Sequence, residues 1–176
     1  MATHDRDRVV ALSRQLTRAH QELRNQLAGI RDHLGDGARE HPGEQHPGEQ
    51  HPRNGVLTTH CLAFCSALTA HHQGEDTGMF AALVRQRPEL ADTVKKLVQD
   101  HEMIASILVR VAELADQAAG GESGDRPAIA WELDGLAAIM ESHFRYEERA
   151  IGDALDRGTI DTGWSGQVFG FESAAT

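Results

Sequence analysis

Four segments of the chain share one spacing of apolar residues, and this spacing limits the possible folds more than any other feature. Apolar residues recur alternately three and four positions apart, as on one face of an α-helix, and none of the segments alternates like a β-strand. Each segment has roughly 27 to 30 residues, which gives a helix of roughly 40 to 45 Å at about 1.5 Å per residue. The sequence therefore predicts an all-α fold, an up-down-up-down antiparallel four-helix bundle.

Histidine interrupts every one of these apolar stripes. The first and third stripes hold one histidine each, and the second and fourth hold a histidine followed four positions later by glutamate: His20, His71, Glu75, His101, His143 and Glu147. A lone histidine on an apolar face is more often a satisfied core residue than a ligand. Six buried polar groups without partners, however, would cost roughly 6 to 18 kcal/mol, which is comparable to the whole stability of a domain. Something must compensate for them.

The histidines lie near the middle of their predicted helices, so an antiparallel bundle brings them to the same depth. The spacing of four places each histidine–glutamate pair on one helix face, one turn apart. Imidazole and carboxylate ligands together suit iron, manganese or zinc, and two carboxylates able to bridge favour a two-metal site over a single ion. Iron is the first choice, with zinc or manganese less favoured.

The link between the first two segments is unusually rich in histidine and proline. Residues 40–55 contain HPGEQ twice in tandem and a third His-Pro, and this density of Pro and Gly predicts a polar, mobile connection. His41, His46 and His51 could bind a metal, but their spacing fixes no coordination geometry. A solvated linker is the favoured interpretation.

Two further breaks complete the organisation of the chain. They lie at Pro88 and at the Gly-rich stretch 120–127. One domain, residues 1–157, therefore holds the four helices. The remaining residues, 158–176, are Gly-rich but carry three aromatic side chains, which predicts a tail lying over the bundle, although the same side chains could serve a partner.

The acidic composition argues against two classes of partner. The net charge of −10 disfavours binding to nucleic acid or to anionic membranes, because both repel an acidic surface. No long apolar run and no signal-peptide core are visible, so we expect a soluble, cytoplasmic protein. Cys61 and Cys65, four positions apart on one helix, are expected to be reduced core thiols.

The order of the motifs resembles that of the hemerythrin-like, or HHE cation-binding, domains. His20 is followed by HHQGED, DHEMI and HFRYEE, and the resemblance extends to about Asp156. It implies a bundle around two iron ions joined by an oxo or hydroxo bridge, with Glu75 and Glu147 as bridging carboxylates. The histidines His20, His71, His101 and His143 carry over as terminal ligands. The implied role is handling of dioxygen, hydrogen peroxide, nitric oxide or iron.

One departure from the family pattern affects the expected chemistry. The oxygen-carrying hemerythrins place a second histidine one turn after the first on the third helix, and here that position is Ala105. Four histidines instead of five would leave an extra open position, which favours peroxide reduction or disproportionation over reversible oxygen storage. A catalase-like or detoxifying protein is thus expected. The alternatives are a non-enzymatic module that binds or senses iron or oxygen, and a structural bundle with zinc or no metal.

Several residues near the predicted ligands have more than one interpretation. His72 and Asp76 repeat the spacing of four one step around the helix, and could be ligands, partners that orient His71, or exposed residues. Tyr146 could donate to a bound oxygen species or be an ordinary boundary tyrosine. Asp100 is expected at the surface.

Overall fold

The structure, a computed structural model, describes residues 11–39, 50–119 and 125–170. Every regular element in these residues is helical and none is a strand, so the prediction of an all-α fold is confirmed. The α-helices are α1 Leu12–Arg39, α2 Gln50–Gly74, α3 Phe80–Gln86, α4 Ala91–Ala119, α5 Asp125–Asp156 and α6 Ser165–Phe169. A π-helical turn, Glu75–Met79, joins α2 to α3, and a 3-10 turn, Pro88–Leu90, joins α3 to α4.

Two of the three predicted breaks between helices are shorter than the sequence indicated. Helix α2 already begins at Gln50 and α5 at Asp125, so Pro52 and Pro127 lie in first helical turns. Proline is tolerated there because the first N–H groups of a helix have no intrahelical acceptor. Residues 40–49, with His41 and His46, lie outside the described residues, as does the side chain of His51.

The third break is where the sequence placed it. Arg87 leaves the helical region, with φ −134° and ψ 74°, because the ring of a following proline disfavours helical geometry in the residue before it. The 3-10 turn at Pro88 then redirects the chain into α4.

The long helices contact one another in pairs, and hydrogen bonds cross these contacts. Helix α1 contacts α2 and α5, and α4 also contacts α2 and α5. Along the α1–α5 contact, hydrogen bonds join Ser13 to Asp156, Arg24 to Glu141 and Arg31 to Asp134. Along the α2–α4 contact, the Thr58 hydroxyl donates to the carbonyl of Ala115, and the Asp76 carboxylate accepts from His101. The middles of these helices therefore meet at one level.

Buried apolar side chains form two clusters with the histidine level between them. One cluster spans Leu23–Leu34 of α1 and the corresponding parts of α2, α4 and α5. The other includes Leu16 of α1, Phe80, Leu97 and Ile151. On α1 and α4, and on α2 with its π-helical turn, the predicted ligands lie between the residues of the two clusters, and on α5 Glu147 does so while His143 directly precedes Phe144 of the first cluster. In the described part of the chain, no helix is long and apolar enough to cross a membrane.

Candidate metal centre

The six residues predicted as ligands lie together in the protein interior. His101, the most exposed of the six, shows only 4% of its surface to solvent, and His20, His71, Glu75 and Glu147 show none. His72, which the sequence left ambiguous, is also buried. Seven ionisable side chains thus share a space enclosed by the two apolar clusters.

On one side of this space, two imidazoles face the two glutamates. The Nε2 atom of His71 lies 3.1 Å from Oε1 of Glu75, and Nε2 of His20 lies 3.4 Å from Oε2 of Glu147. Two ligand atoms at right angles around an ion, each about 2.1 Å from it, lie about 3.0 Å apart. The spacing fits neighbouring ligands of one cation, and we call this group the two-histidine side.

On the other side, three imidazoles come together. The Nε2 atoms of His101 and His143 lie 3.1 Å apart, and Nε2 of His143 lies 3.6 Å from Oε2 of Glu147. One ligand atom from each of His72, His101 and His143 lies within 4.8 Å of the others. These three residues form the three-histidine side.

Both glutamates lie between the two sides. Glu75 directs Oε1 toward His71 at 3.1 Å and Oε2 toward His101 at 3.5 Å. The Oε2 atom of Glu147 lies 3.4 Å from Nε2 of His20 and 3.6 Å from Nε2 of His143. Each carboxylate therefore faces imidazoles of both sides.

The polar atoms at the centre lack partners in the protein that a metal cation could supply. Among the described residues, Nε2 of His20, Nε2 of His72 and both carboxylate oxygens of Glu75 and of Glu147 are buried without a hydrogen-bond partner. Each such atom costs about 1 to 3 kcal/mol. Cations would satisfy them together, and the donor set of imidazole nitrogen and carboxylate oxygen suits iron, manganese or zinc.

Burial keeps three of the imidazoles in the neutral form that binds a metal. It lowers the pKa of His71 to about 3, with the charge of nearby His20 adding to the effect. Burial, with nearby His101, also lowers the pKa of His72 well below its ordinary value, and burial lowers the pKa of His143. These three imidazoles are therefore neutral near pH 7, as metal ligands must be.

Carboxylates orient two of the histidines from outside. The Nδ1–H of His20 donates to Oε1 of Glu148 at 2.8 Å, and the Nδ1–H of His101 donates to Oδ1 of Asp76 at 2.8 Å. A hydrogen bond at Nδ1 fixes the tautomer and leaves the lone pair of Nε2 directed into the site. Asp76 thus lies behind His101.

The remaining outer partners come from α4 and from the end of the chain. Nδ1 of His143 lies 3.4 Å from Oδ2 of Asp100, so the expectation that Asp100 is only a surface residue was incomplete. Nδ1 of His71 lies 2.8 Å from the backbone carbonyl oxygen of Val168. All four histidines predicted as ligands therefore have an Nδ1 partner.

Most of the chain matches a known protein family. The family model described as the hemerythrin HHE cation binding domain matches residues 11–155. The chain belongs to the hemerythrin HHE cation-binding family. The resemblance seen in the sequence is thereby confirmed, and the histidine and glutamate cluster is that of a metal-binding module. Searches among curated proteins and among solved structures gave no match.

Helix α2 of this hemerythrin domain changes its geometry at a predicted ligand. Glu75 begins the π-helical turn, and its carbonyl accepts the N–H of Phe80, five residues later. Such turns are rare and occur frequently at functional sites. The apolar stripe predicted an uninterrupted helix here, so the π-helical turn was missed.

Three further residues were singled out from the sequence of this hemerythrin domain, and they lie in different surroundings. Tyr146 is half-buried and packs against the apolar cluster of Leu16 and Phe80. Ala105 is exposed, so a histidine at that position would begin on the outer face of α4. The third imidazole of the three-histidine side belongs instead to His72 of α2.

Two orienting groups were not predicted from the sequence. Glu148 directly follows Glu147, and an acidic residue adjacent to a predicted ligand was a signal that could have identified it. The carbonyl of Val168 had no such signal, because a backbone atom is the same in every residue and only the fold brings it to His71.

Proposed function

We propose that this hemerythrin domain is a non-haem di-iron protein that binds one small oxygen species on its two-histidine side. His20 and His71 hold one iron, and His72, His101 and His143 hold the other. Glu75 and Glu147 are shared between them. The observation that carries the proposal is this unequal division of five imidazoles around two shared carboxylates, which leaves more open positions on one side.

The residues of the chain prepare the site for a small ligand. Iron, when bound, supplies one-electron redox chemistry and open coordination positions. Burial keeps His71, His72 and His143 neutral and excludes bulk water. Partners at Nδ1 orient His20, His71, His101 and His143. The ring of Phe144 stacks on His20 with centroids 3.9 Å apart, so the two-histidine side is closed by an apolar wall. A small apolar molecule such as dioxygen suits these surroundings.

The position of His72 supports one of the two functions that the sequence left open. The expectation of peroxide turnover depended on a missing fifth histidine at Ala105. With His72 on the three-histidine side, the site has five histidines. This number favours reversible binding of dioxygen and hence the non-enzymatic alternative. Peroxide consumption becomes the expected result only if His72 is not a ligand.

The proposal includes the up-down-up-down arrangement of the four long helices. The antiparallel contacts along α1–α5 and α2–α4 support it, and so do the contacts between Arg110 of α4 and Glu132 of α5 and between His33 of α1 and His60 of α2. In this arrangement α2 lies between α1 and α4. Its neighbouring residues His71 and His72 can therefore serve different metal ions.

Metal analysis tests the proposal directly. The chain, loaded anaerobically with Fe(II), should bind two ions, and the His72→Ala variant should bind one tightly. His60→Ala is the matched control, because His60 is an exposed histidine on the same helix. On mixing with dioxygen, the reduced protein should change its visible spectrum, and removal of oxygen should reverse the change. Two ions bound by the His72→Ala protein as tightly as by the parent would contradict the assignment of His72, and no iron in the parent chain would contradict the function.

A further inference from the structure

The last described part of the chain, residues 159–170, lies beyond the family match yet packs against the metal-site helices. We call it the C-terminal strap. It contains α6, which contacts α1 and α2. Trp164 is only 6% exposed and Val168 is fully buried, in the same apolar cluster as Leu16 and Met79. The strap is therefore part of the packed structure around the site.

The strap approaches α2 and the π-helical turn over two glycines. A Cβ atom on Gly78 would lie 2.5 Å from Cβ of Trp164, closer than such atoms can pack. A Cβ atom on Gly74 would lie 3.0 Å from Cγ of Gln167 and 3.1 Å from Cγ2 of Val168. The absence of side chains at these two positions, four residues apart, is what allows this close contact.

The strap also has a defined entry into α6. Gly163 has a φ of +105°, in the left-handed region that glycine adopts most readily. The carboxylate of Asp161 accepts the N–H of Gly163 at 2.8 Å and the N–H of Ser165 at 3.2 Å. These bonds hold the start of α6 and so help to fix the height of Val168 above α2.

The contact between the strap and the site is the bond from His71 to Val168. Here the acceptor is an uncharged carbonyl, whereas carboxylates face Nδ1 of His20, His101 and His143. An imidazole that donates from Nδ1 to a fixed carbonyl has its Nε2 lone pair available on the opposite side of the ring. In His71 that nitrogen faces Glu75.

We propose that the C-terminal strap positions His71 for metal binding, with the Val168 carbonyl holding the ring in its Nδ1–H tautomer. The tautomer follows from the protein contacts alone, while its consequence for iron rests on the proposed function. Loss of an outer partner of a ligating histidine typically weakens metal affinity about 10- to 100-fold. The strap is thus a positioning element supplied by sequence outside the family match.

The first test measures the unmodified, metal-free chain and does not depend on iron. Long-range ¹H–¹⁵N NMR correlations at neutral pH distinguish the two neutral tautomers of each histidine, and His71→Gln identifies the signals of His71. We expect the Nδ1–H tautomer, with slow exchange of that proton with solvent. The Nε2–H tautomer at His71 would overturn the proposal.

The second test moves the strap. Gly74→Ala/Gly78→Ala adds methyl groups where Gln167 and Trp164 lie, and the matched control Gly29→Ala/Gly135→Ala adds them on helices where nothing lies within 4 Å. Alanine stabilises a helix relative to glycine, so the control should be at least as stable as the parent. In anaerobic Fe(II) titrations we expect the first variant to bind one of its two ions about tenfold more weakly, with faster exchange of the His71 proton, and the control to be unchanged.

The two tests separate failure of this inference from failure of the proposed function. A parent chain with the expected tautomer but no affinity for iron would refute the di-iron proposal and leave the positioning of His71 established. Unchanged iron affinity in a folded Gly74→Ala/Gly78→Ala protein whose His71 proton exchanges faster would refute the role of the strap in metal binding. If that variant does not fold, the tautomer measured in the parent chain decides whether the Val168 carbonyl holds His71.

Discussion

At the scale of single residues, we expect His72 to limit the number of open positions. If His72 is a ligand as proposed, replacing it with alanine removes one of the three imidazoles of its side, so that the second iron is bound more weakly and has one more open position. Peroxide could then contact both metals, which favours its disproportionation. The iron-loaded His72→Ala protein should therefore evolve oxygen from peroxide faster than the parent chain, as an oxygen electrode would record. Equal rates for His72→Ala, the parent and His60→Ala would contradict this account.

Asp76 acts through His101. The variant Asp76→Asn retains an oxygen acceptor of similar size, but removes the negative charge that strengthens the hydrogen bond from Nδ1–H. We expect the affinity for one Fe(II) ion to fall about tenfold, measured by anaerobic titration. Asp92→Asn, an exposed substitution in the first turn of the same helix as His101, is the control. A similar loss in both variants would point to a general effect of charge.

The two cysteines should be unreactive while the protein is folded. Burial raises the pKa of Cys61 to about 11 and, with the added effect of Cys61, the pKa of Cys65 to about 12. The reactive thiolate is therefore scarce at any pH below those values, and its fraction grows only as the pH approaches them. A disulfide reagent at about pH 8, below the usual thiol pKa of about 8.5, should label the native protein slowly and the urea-unfolded protein rapidly. Rapid labelling of the native form would show that the helices open readily.

At the scale of helices, the sequence predicted that the six candidate ligands lie at one depth in the bundle. It did not predict the direction of every side chain at that depth. The apolar stripes identified the helices, and their interruptions identified six of the seven buried ionisable residues. His72 could not be assigned, because successive residues of a helix point about 100° apart and the spacing does not say which neighbour each one faces. Its ring stacks on His101 of α4 at 3.9 Å, while His71 contacts His20 of α1 at 5.2 Å.

The parts that the sequence did not reveal depend on backbone geometry. The π-helical turn at Glu75 comes from a main-chain hydrogen bond, and the carbonyl of Val168 reaches His71 only through the fold of the strap. The starts of α2 and α5 were also misjudged, because Pro52 and Pro127 are typical of loops and of first helical turns alike. Local composition does not distinguish these two uses.

The connection between α1 and α2 should not contribute to the metal site. Deleting one HPGEQ repeat, residues 41–45, shortens this connection at small entropic cost, since halving a loop changes the closure free energy by only about 0.6 kcal/mol. We expect two bound iron ions and an unchanged spectrum, determined by metal analysis and absorption. The matched variant His41→Ala/His46→Ala keeps the length and removes the imidazoles. Loss of an ion in both variants would show that the linker histidines are ligands.

At the scale of the whole molecule, a polar layer separates two apolar clusters. Helices α1, α4 and α5 cross all three, and α2 does so together with the π-helical turn and α3. Without cations, buried atoms of His20, His72, Glu75 and Glu147 have no hydrogen-bond partner among the described residues, and burial together with the charge of Glu147 raises the pKa of Glu75 well above its usual range. The two clusters can pack on each other only through this layer. Metal binding and folding should therefore be strongly coupled.

Removal of the metal should consequently lower the melting temperature of the entire domain. Ligands that bind only the native state stabilise it by about 4 kcal/mol when the free ligand is a thousandfold above its dissociation constant. For a chain of this size, each kcal/mol shifts the melting temperature by about 2 to 4 °C, so iron should raise it by roughly 10 °C. Calorimetry of the iron-loaded protein and of protein stripped by a chelator and then dialysed measures the difference. Readdition of Fe(II) should restore the higher value, because the loss comes from missing ligand and not from damage. Identical melting curves, with metal removal proven by analysis, would mean that the polar layer is satisfied within the protein, and the argument for a cation from its buried atoms would fail.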